Sequence, residues 1–200
     1  GEVCTAGSRL LVDRKIKDKF MAKVLEAAKS WVPGDPLNPA TNLGAIVDDS
    51  QYRRVLGYIE TAGKDGGKLV AGGAAARTET GGYFVQPTIF DGVTPEMTIA
   101  REEIFGPVLA VIEFDGEEEA IEIANNTIYG LAAAVWSKDI SRAHRMARAL
   151  QAGTIWVNCW DPTGDLSIPF GGYKQSGFGR DKSLHALDKY TNLKTTWVQL

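Results

Sequence analysis

PVLAVIEFDGEEEAIEIANNTIYGLAAAVW (107–136) is the stretch that decides the fold class. PVLAVIEF (107–114) is a continuous apolar run of strand length, too apolar for a sheet with one wet face, so both of its faces are expected to be covered. EEEAIEIANN (117–126) then reads as a helix, with Glu117, Glu118 and Glu119 in the first turn, where carboxylates favour the helix dipole. LAAAVW (131–136) is a second buried strand. A helix is predicted from Ile140 to Leu150, after Ser137 and Asp139, and GTIWVN (153–158) is a third strand. Strand, helix, strand, helix, strand with short connections predicts an α/β fold in three layers, with right-handed crossovers and a parallel sheet covered on both faces.

Upstream, SRLLV (8–12) is a short apolar run of strand length. KIKDKFMAKVLEAAKSW (15–31) places Ile16, Phe20, Val24, Ala27 and Trp31 three to four residues apart, the spacing of an amphipathic helix. PGDPLNPATNLG (33–44) is a loop by its prolines, glycines and asparagines. A second helix is predicted over 48–65 and KLVAGG (68–73) as strand then turn, with a polar loop after it. YFVQPTIFD (83–91) is extended but interrupted by Pro87, which suggests an edge or irregular strand. The tail YTNLKTTWVQL (190–200) alternates polar and apolar residues, like an exposed strand that needs a partner.

The composition narrows the function. With 200 residues, 44% of them hydrophobic, the chain can bury a core and is expected to form one domain with an appended element. A net charge of −3 with interspersed signs gives no basic footprint for nucleic acid and no polybasic patch for a membrane surface. No apolar run approaches the roughly 18 residues of a membrane span. Cys4 and Cys159 are too few for a disulfide scaffold and resemble no zinc spacing, so no metal is expected and a reducing, cytoplasmic setting is the default.

Several stretches could carry chemistry. GEVCTAGSR (1–9) holds a thiol among small residues. It is either a packed sulfhydryl or a nucleophile with open space around it. REEIFGPVLAV (101–111) sets two glutamates and an aromatic before a buried strand. One reading is a turn with solvated carboxylates. The other is a ligand site near the C-terminal edge of the sheet, where α/β folds bind ligands. FGGYKQSGFGRDKS (170–183) lacks the Gly-Lys-Ser/Thr ending of a phosphate loop and the third glycine of a dinucleotide fingerprint, and no buried strand leads into it. His144 and His185 are the two histidines. A Cys/His hydrolase would need one of them beside Cys4, and surface or capping roles suit both better.

GEVCTAGSRLLV, REEIFGPV, WVNC and PFGGYKQSGFGR stand in this order and spacing as they do in the aldehyde dehydrogenase superfamily, and the resemblance runs over essentially the whole chain. The ending GRDKSLHALDKYTNLKTTW resembles the branch that acts on ω-amino or ω-guanidino aldehydes, such as γ-glutamyl-γ-aminobutyraldehyde and ω-guanidinobutyraldehyde dehydrogenases. The resemblance implies the catalytic domain of that fold over 1–180, and over 181–200 a segment ending in an oligomerisation strand.

It also implies roles. Cys4 matches the family nucleophile, whose thiolate adds to the aldehyde and carries a thioester. Its backbone N–H matches an oxyanion donor. Glu2 replaces a frequent glutamine, and a carboxylate turned onto the thiol would raise its pKa. Glu103 and Phe105 match the positions that hold the nicotinamide half of NAD or NADP. Gln51 and Arg54 match contacts to the cofactor ribose, Arg54 in place of a frequent lysine. Trp160 and Phe170 match the surroundings of the aldehyde tunnel. Asp161 and Asp165 beside Trp160 suit a cationic amine or guanidinium tail, although two turn-forming aspartates in a solvated loop would look the same. In the family the main cofactor-binding domain, the general-base glutamate and an oxyanion asparagine all precede the nucleophile. This stretch alone is therefore expected not to turn over. The implied partners are a small aldehyde, that cofactor-binding domain and further copies of the chain in a dimer or tetramer. A CoA-acylating enzyme, or a non-catalytic scaffold that keeps the fold, would share much of this pattern. Retention of both Cys4 and Glu103 favours the enzyme.

Overall fold

The computed structural model describes residues 1–161 and 166–200, which gather into two compact units, Gly1–Asn126 and Thr127–Leu200. The first unit holds β1 (Arg9–Asp13), α1 (Lys17–Ala28), α2 (Asp49–Lys64), β2 (Lys68–Ala71), β3 (Ala75–Ala76), β4 (Phe84–Val85), β5 (Thr88–Asp91), α3 (Thr98–Arg101), β6 (Val108–Phe114) and α4 (Glu117–Asn125). Its main sheet has the order β1-β6-β5-β2, parallel across the first three strands and antiparallel at β2.

The alternation of side chains along a strand makes this half a three-layer structure. Val108, Ala110 and Ile112 of β6 join Phe90 of β5 on one face, under Val55, Ile59 and Ala62 of α2 together with Ile99 of α3 and Ile123 of α4. Val111 points the other way, with Val12, Ile89 and Met21 of α1. β6 therefore reads as unbroken apolar sequence because it is covered twice. Each Ile or Val wholly buried here stabilises the fold by about 1.5–3 kcal/mol.

Polar side chains set the element ends. Asp48 caps α2, its carboxylate accepting from the Gln51 N–H at 2.8 Å. Arg9, on β1, donates from Nη1 and Nη2 to the carbonyls of Ile123 and Ala124, at 3.1 and 2.9 Å, and so satisfies the last turn of α4. At the carboxyl ends of β5 and β6, Lys17 Nζ lies 2.9 Å from Asp91 and 3.3 Å from Glu113, and Arg14 Nε binds Glu113 at 2.6 Å.

In the second unit, β7 (Ala132–Val135), α5 (Ile140–Ala149) and β8 (Thr154–Val157) form a parallel strand-helix-strand unit. Asp139 caps α5 by accepting from the Arg142 N–H at 3.1 Å. Beyond β8, short 3-10 turns cover Lys174–Ser176 and Leu184–Lys189.

Three expectations change. β6, β7 and β8 do not share one sheet: β6 has hydrogen-bonded neighbours on both sides, β1 and β5, and β7 pairs with β8 in a separate sheet. The 83–91 stretch is irregular as expected, breaking at Pro87 into β4 and β5 with a register shift between β2 and β5. But β5 is an interior strand and not an edge; Pro87 stands just before its first residue and costs the ladder nothing. Residues 191–200 are exposed and form no strand with any described residue.

Candidate functional site

Cys4 sits in a tight turn closed by the Ala6 N–H donating to the Val3 carbonyl at 2.8 Å, with its side chain exposed while Thr5 beside it is buried. The segment is held on two sides. A side chain at Gly1 would collide with the Gly106 carbonyl, so the chain here lies directly on the loop that enters β6. On the other side Glu2 Oε1 accepts from the Val47 N–H at 3.2 Å, which turns this carboxylate toward the approach to α2. The thiol segment and the 102–107 loop thus meet at the amino ends of the neighbouring parallel strands β1 and β6. This corrects the expectation of a carboxyl-edge site. That edge is occupied by the ion network of Lys17, Asp91 and Glu113.

The 102–107 loop is shaped by α2. Gln51 Nε2 donates to the carbonyls of Ile104 and Phe105 at 2.9 and 2.8 Å. Arg54 Nη2 donates to the Glu103 carbonyl at 3.1 Å and lies 3.4 Å from the Tyr58 hydroxyl, which donates to Glu102 Oε2 at 2.8 Å. The Arg54 guanidinium also rides 5.6 Å above the Tyr58 ring. Hydrogen bonding by Tyr58, with the nearby negative charges, holds the Arg54 pKa above its ordinary value. Ile104 is buried and anchors the loop, while Glu103 and Phe105 on either side of it face solvent. Phe105 has φ +58°, a left-handed backbone uncommon for a bulky residue, and it is 36% exposed. Its ring therefore stands out as a platform beside an exposed carboxylate.

In the second unit Trp160 stacks parallel to Trp136, with ring centroids 6.3 Å apart, and tilts against Trp156 at 5.1 Å. Asn158 spends both ends of its amide on Ser137, accepting from its N–H at 2.8 Å and donating to its carbonyl at 3.0 Å. An open groove of about 520 Å³ is lined by Trp136, Ser137, Lys138, Ile140 and Asn158. Asp161 is exposed with φ +38°. Phe170 exchanges two backbone hydrogen bonds with Asp181, and Lys182 Nζ lies 5.4 Å above its ring. Asp165 lies outside the described residues. Among the described residues no group of His, Cys, Asp and Glu could hold a metal ion, and no helix is long and apolar enough to cross a membrane.

A thiol segment laid on a loop that carries a carboxylate and an aromatic is the juxtaposition the sequence resemblance implies. The aldehyde dehydrogenase family model matches residues 1–196. The chain belongs to the aldehyde dehydrogenase family. It is 50% identical over its full length to the NADP/NAD-dependent aldehyde dehydrogenase PuuC of Escherichia coli K12, of which it covers 39%. It matches a crystal structure of a mutant of AldA, an indole-3-acetaldehyde dehydrogenase of Pseudomonas syringae, in complex with NAD+ and IAA. The TM-score is 0.95 at 62% identity, covering all of this chain and 40% of that one. It also matches γ-glutamyl-γ-aminobutyraldehyde dehydrogenase from Burkholderia cenocepacia, with a TM-score of 0.94 at 62% identity, over 98% of this chain and 39% of that one. The chain thus spans about two fifths of the length of these relatives.

Relatives of the chain carry NAD(P) in a name or a structure. Glu103, an exposed carboxylate able to accept from sugar hydroxyls, and Phe105, an exposed flat ring, are the groups here that could hold its nicotinamide half. Gln51 Nε2 and Arg54 Nη2 donate to the backbone of the 102–107 loop. Tyr58 and the Trp136–Trp156 surroundings of Trp160 were missed in the sequence. Tyr58 had a signal: with Gln51, Arg54 and Val55 it forms one face of α2 at helical spacing. The tryptophan stack had none, since it depends on β7 and β8 lying side by side. The two histidines both fall in the second unit, and Cys4 in the first.

Proposed function

We propose that the chain is the part of an NAD(P)-dependent aldehyde dehydrogenase that carries the nucleophile and the nicotinamide-side loop, oxidising an aldehyde to its carboxylic acid. The observation that supports this most is the seating of the Cys4 segment on the Glu103–Phe105 loop. The Cys4 thiolate adds to the carbonyl carbon, forming a C–S bond and an oxyanion, toward which the Cys4 N–H donates. A bound dinucleotide would supply the acceptor for the hydride lost from the former aldehyde carbon, whose loss leaves a thioester on Cys4. Water cleaves that C–S bond, releasing the acid and restoring the thiol. Glu103 and Phe105 would hold the ribose and the nicotinamide ring of that dinucleotide. Cys4 works in an open turn, where the carbonyl can approach, and the Glu2 carboxylate is engaged by Val47. In the family the base and a second oxyanion donor come from residues that precede the nucleophile.

The substrate is an ω-amino or γ-glutamylamino aldehyde. The name of the Burkholderia cenocepacia neighbour supports this reading, as does an exposed Asp161 next to Trp160, a pairing suited to a cationic tail. The enzyme works in the cytoplasm, where an exposed thiol stays reduced, and assembles through its apolar tail, in which Leu193, Trp197 and Leu200 are exposed. The test is NADH or NADPH formation by the full-length protein with cationic and neutral aldehydes. Cys4→Ser is expected to lower kcat by more than about a thousandfold. A variant that keeps its rate would remove the reading.

A further inference from the structure

The contacts between α2 and the loop before β6 form a register. Going down the helix, Gln51 takes the carbonyls of Ile104 and Phe105, Arg54 takes that of Glu103, and Tyr58 takes the side chain of Glu102. Between them Val55 is wholly buried, and a Cβ on Gly106 would come within 2.5 Å of its Cγ2. Three consecutive loop carbonyls are thus accounted for by one helix face, and the loop that presents Glu103 and Phe105 is cast against that face. Arg54, bonded to the Tyr58 hydroxyl and stacked on its ring, ties the last two contacts together.

We propose that Tyr58 is a positioning residue: by bonding Glu102 and Arg54 together, it fixes the loop that sets Glu103 and Phe105 for the nicotinamide half of the cofactor. The role rests on the function proposed above. Tyr58 bonds Arg54 and Glu102, so its effect is expected to pass through the loop. Burial, and then the bond to Glu102, push the phenol pKa up, so the hydroxyl stays a donor throughout the neutral range.

The test uses the full-length enzyme and three variants. Tyr58→Phe keeps the ring under Arg54 and removes one hydroxyl. It is expected to raise the KM for NAD(P)+ roughly two- to tenfold, the factor that one lost hydrogen bond implies. The KM for aldehyde, the Tm and the alkylation rate of Cys4 should stay near the parent values. Amide hydrogen exchange over 102–106 should quicken. Glu102→Ala should reproduce Tyr58→Phe, and Glu102→Gln, which keeps an acceptor, should restore the parent values. A Tyr58→Phe enzyme with unchanged cofactor KM and unchanged loop exchange overturns the role. So does one in which both KM values and the Tm move together. A parent enzyme that forms no NAD(P)H from any aldehyde overturns the functional reading and this role with it. An active parent with an indifferent Tyr58→Phe variant overturns the role alone.

Discussion

Phe105 shows how much of this site depends on single residues. A bulky side chain at φ +58° costs about 1–3 kcal/mol and persists only where its surroundings over-determine it, and here Gln51 holds the carbonyls of Ile104 and Phe105. Strain of this kind sits on an exposed ring beside an exposed carboxylate, outside the packed core, and is the reason Phe105 is proposed as a ligand contact. Asp161 is a different case. It is exposed, and an exposed charge pair is worth no more than about 1 kcal/mol. Asp161→Asn in the full-length enzyme is therefore expected to raise the KM for a cationic aldehyde about two- to fivefold and to leave a neutral aldehyde of the same length unchanged. Steady-state kinetics on the matched pair check this, and equal shifts on both would assign Asp161 to the loop's own structure.

The elements divide their labour by end. The amino ends of β1 and β6 carry the thiol segment and the 102–107 loop, while the carboxyl ends of β5 and β6 are tied to the start of α1 by Lys17. Burial alone would raise the Asp91 pKa, but bonds from Lys17 and the Gly92 N–H bring it below its ordinary value. Arg14, then Lys17, lower that of Glu113. Groups depressed in the folded state add stability that is complete above the ordinary carboxylate range and is lost as pH falls through their folded pKa values. Tm is therefore expected to hold near neutrality and to fall as pH goes from about 6 to about 3. Lys17→Met should lower Tm at neutral pH and flatten that fall, because Asp91 then loses its partner. Scanning calorimetry across this range checks it, and parallel profiles for the two proteins would show that Lys17 carries none of the dependence.

At the scale of the molecule, the elements were easier to read than their partners. The helix at Asp49–Lys64 and the strands at Val108–Phe114 and Thr154–Val157 follow from apolar spacing and end signals, which are local. Sheet membership is not local: nothing within 107–158 says that β1 and β5 occupy both edges of β6 and leave β7 to β8. The site divides in the same way. Cys4, Glu103 and Phe105 stand out as candidates in the sequence because four stretches keep the spacing of a family. The clamp from α2 became visible only once Gln51, Arg54 and Tyr58 were set against the loop backbone. The wrong sheet edge came from applying a rule for ligands at strand carboxyl ends to a site built from the segments that enter the strands. The proposed function rests on the Cys4 sulfur as the atom that holds the substrate during oxidation. The most direct measurement is the intact and peptide mass of the full-length enzyme, acid-quenched during turnover with an aldehyde and NAD(P)+. The account predicts the acyl mass on the peptide containing Cys4, and its absence after Cys4→Ser. An acyl group on Cys159, or turnover with no thioester on either cysteine, would contradict it.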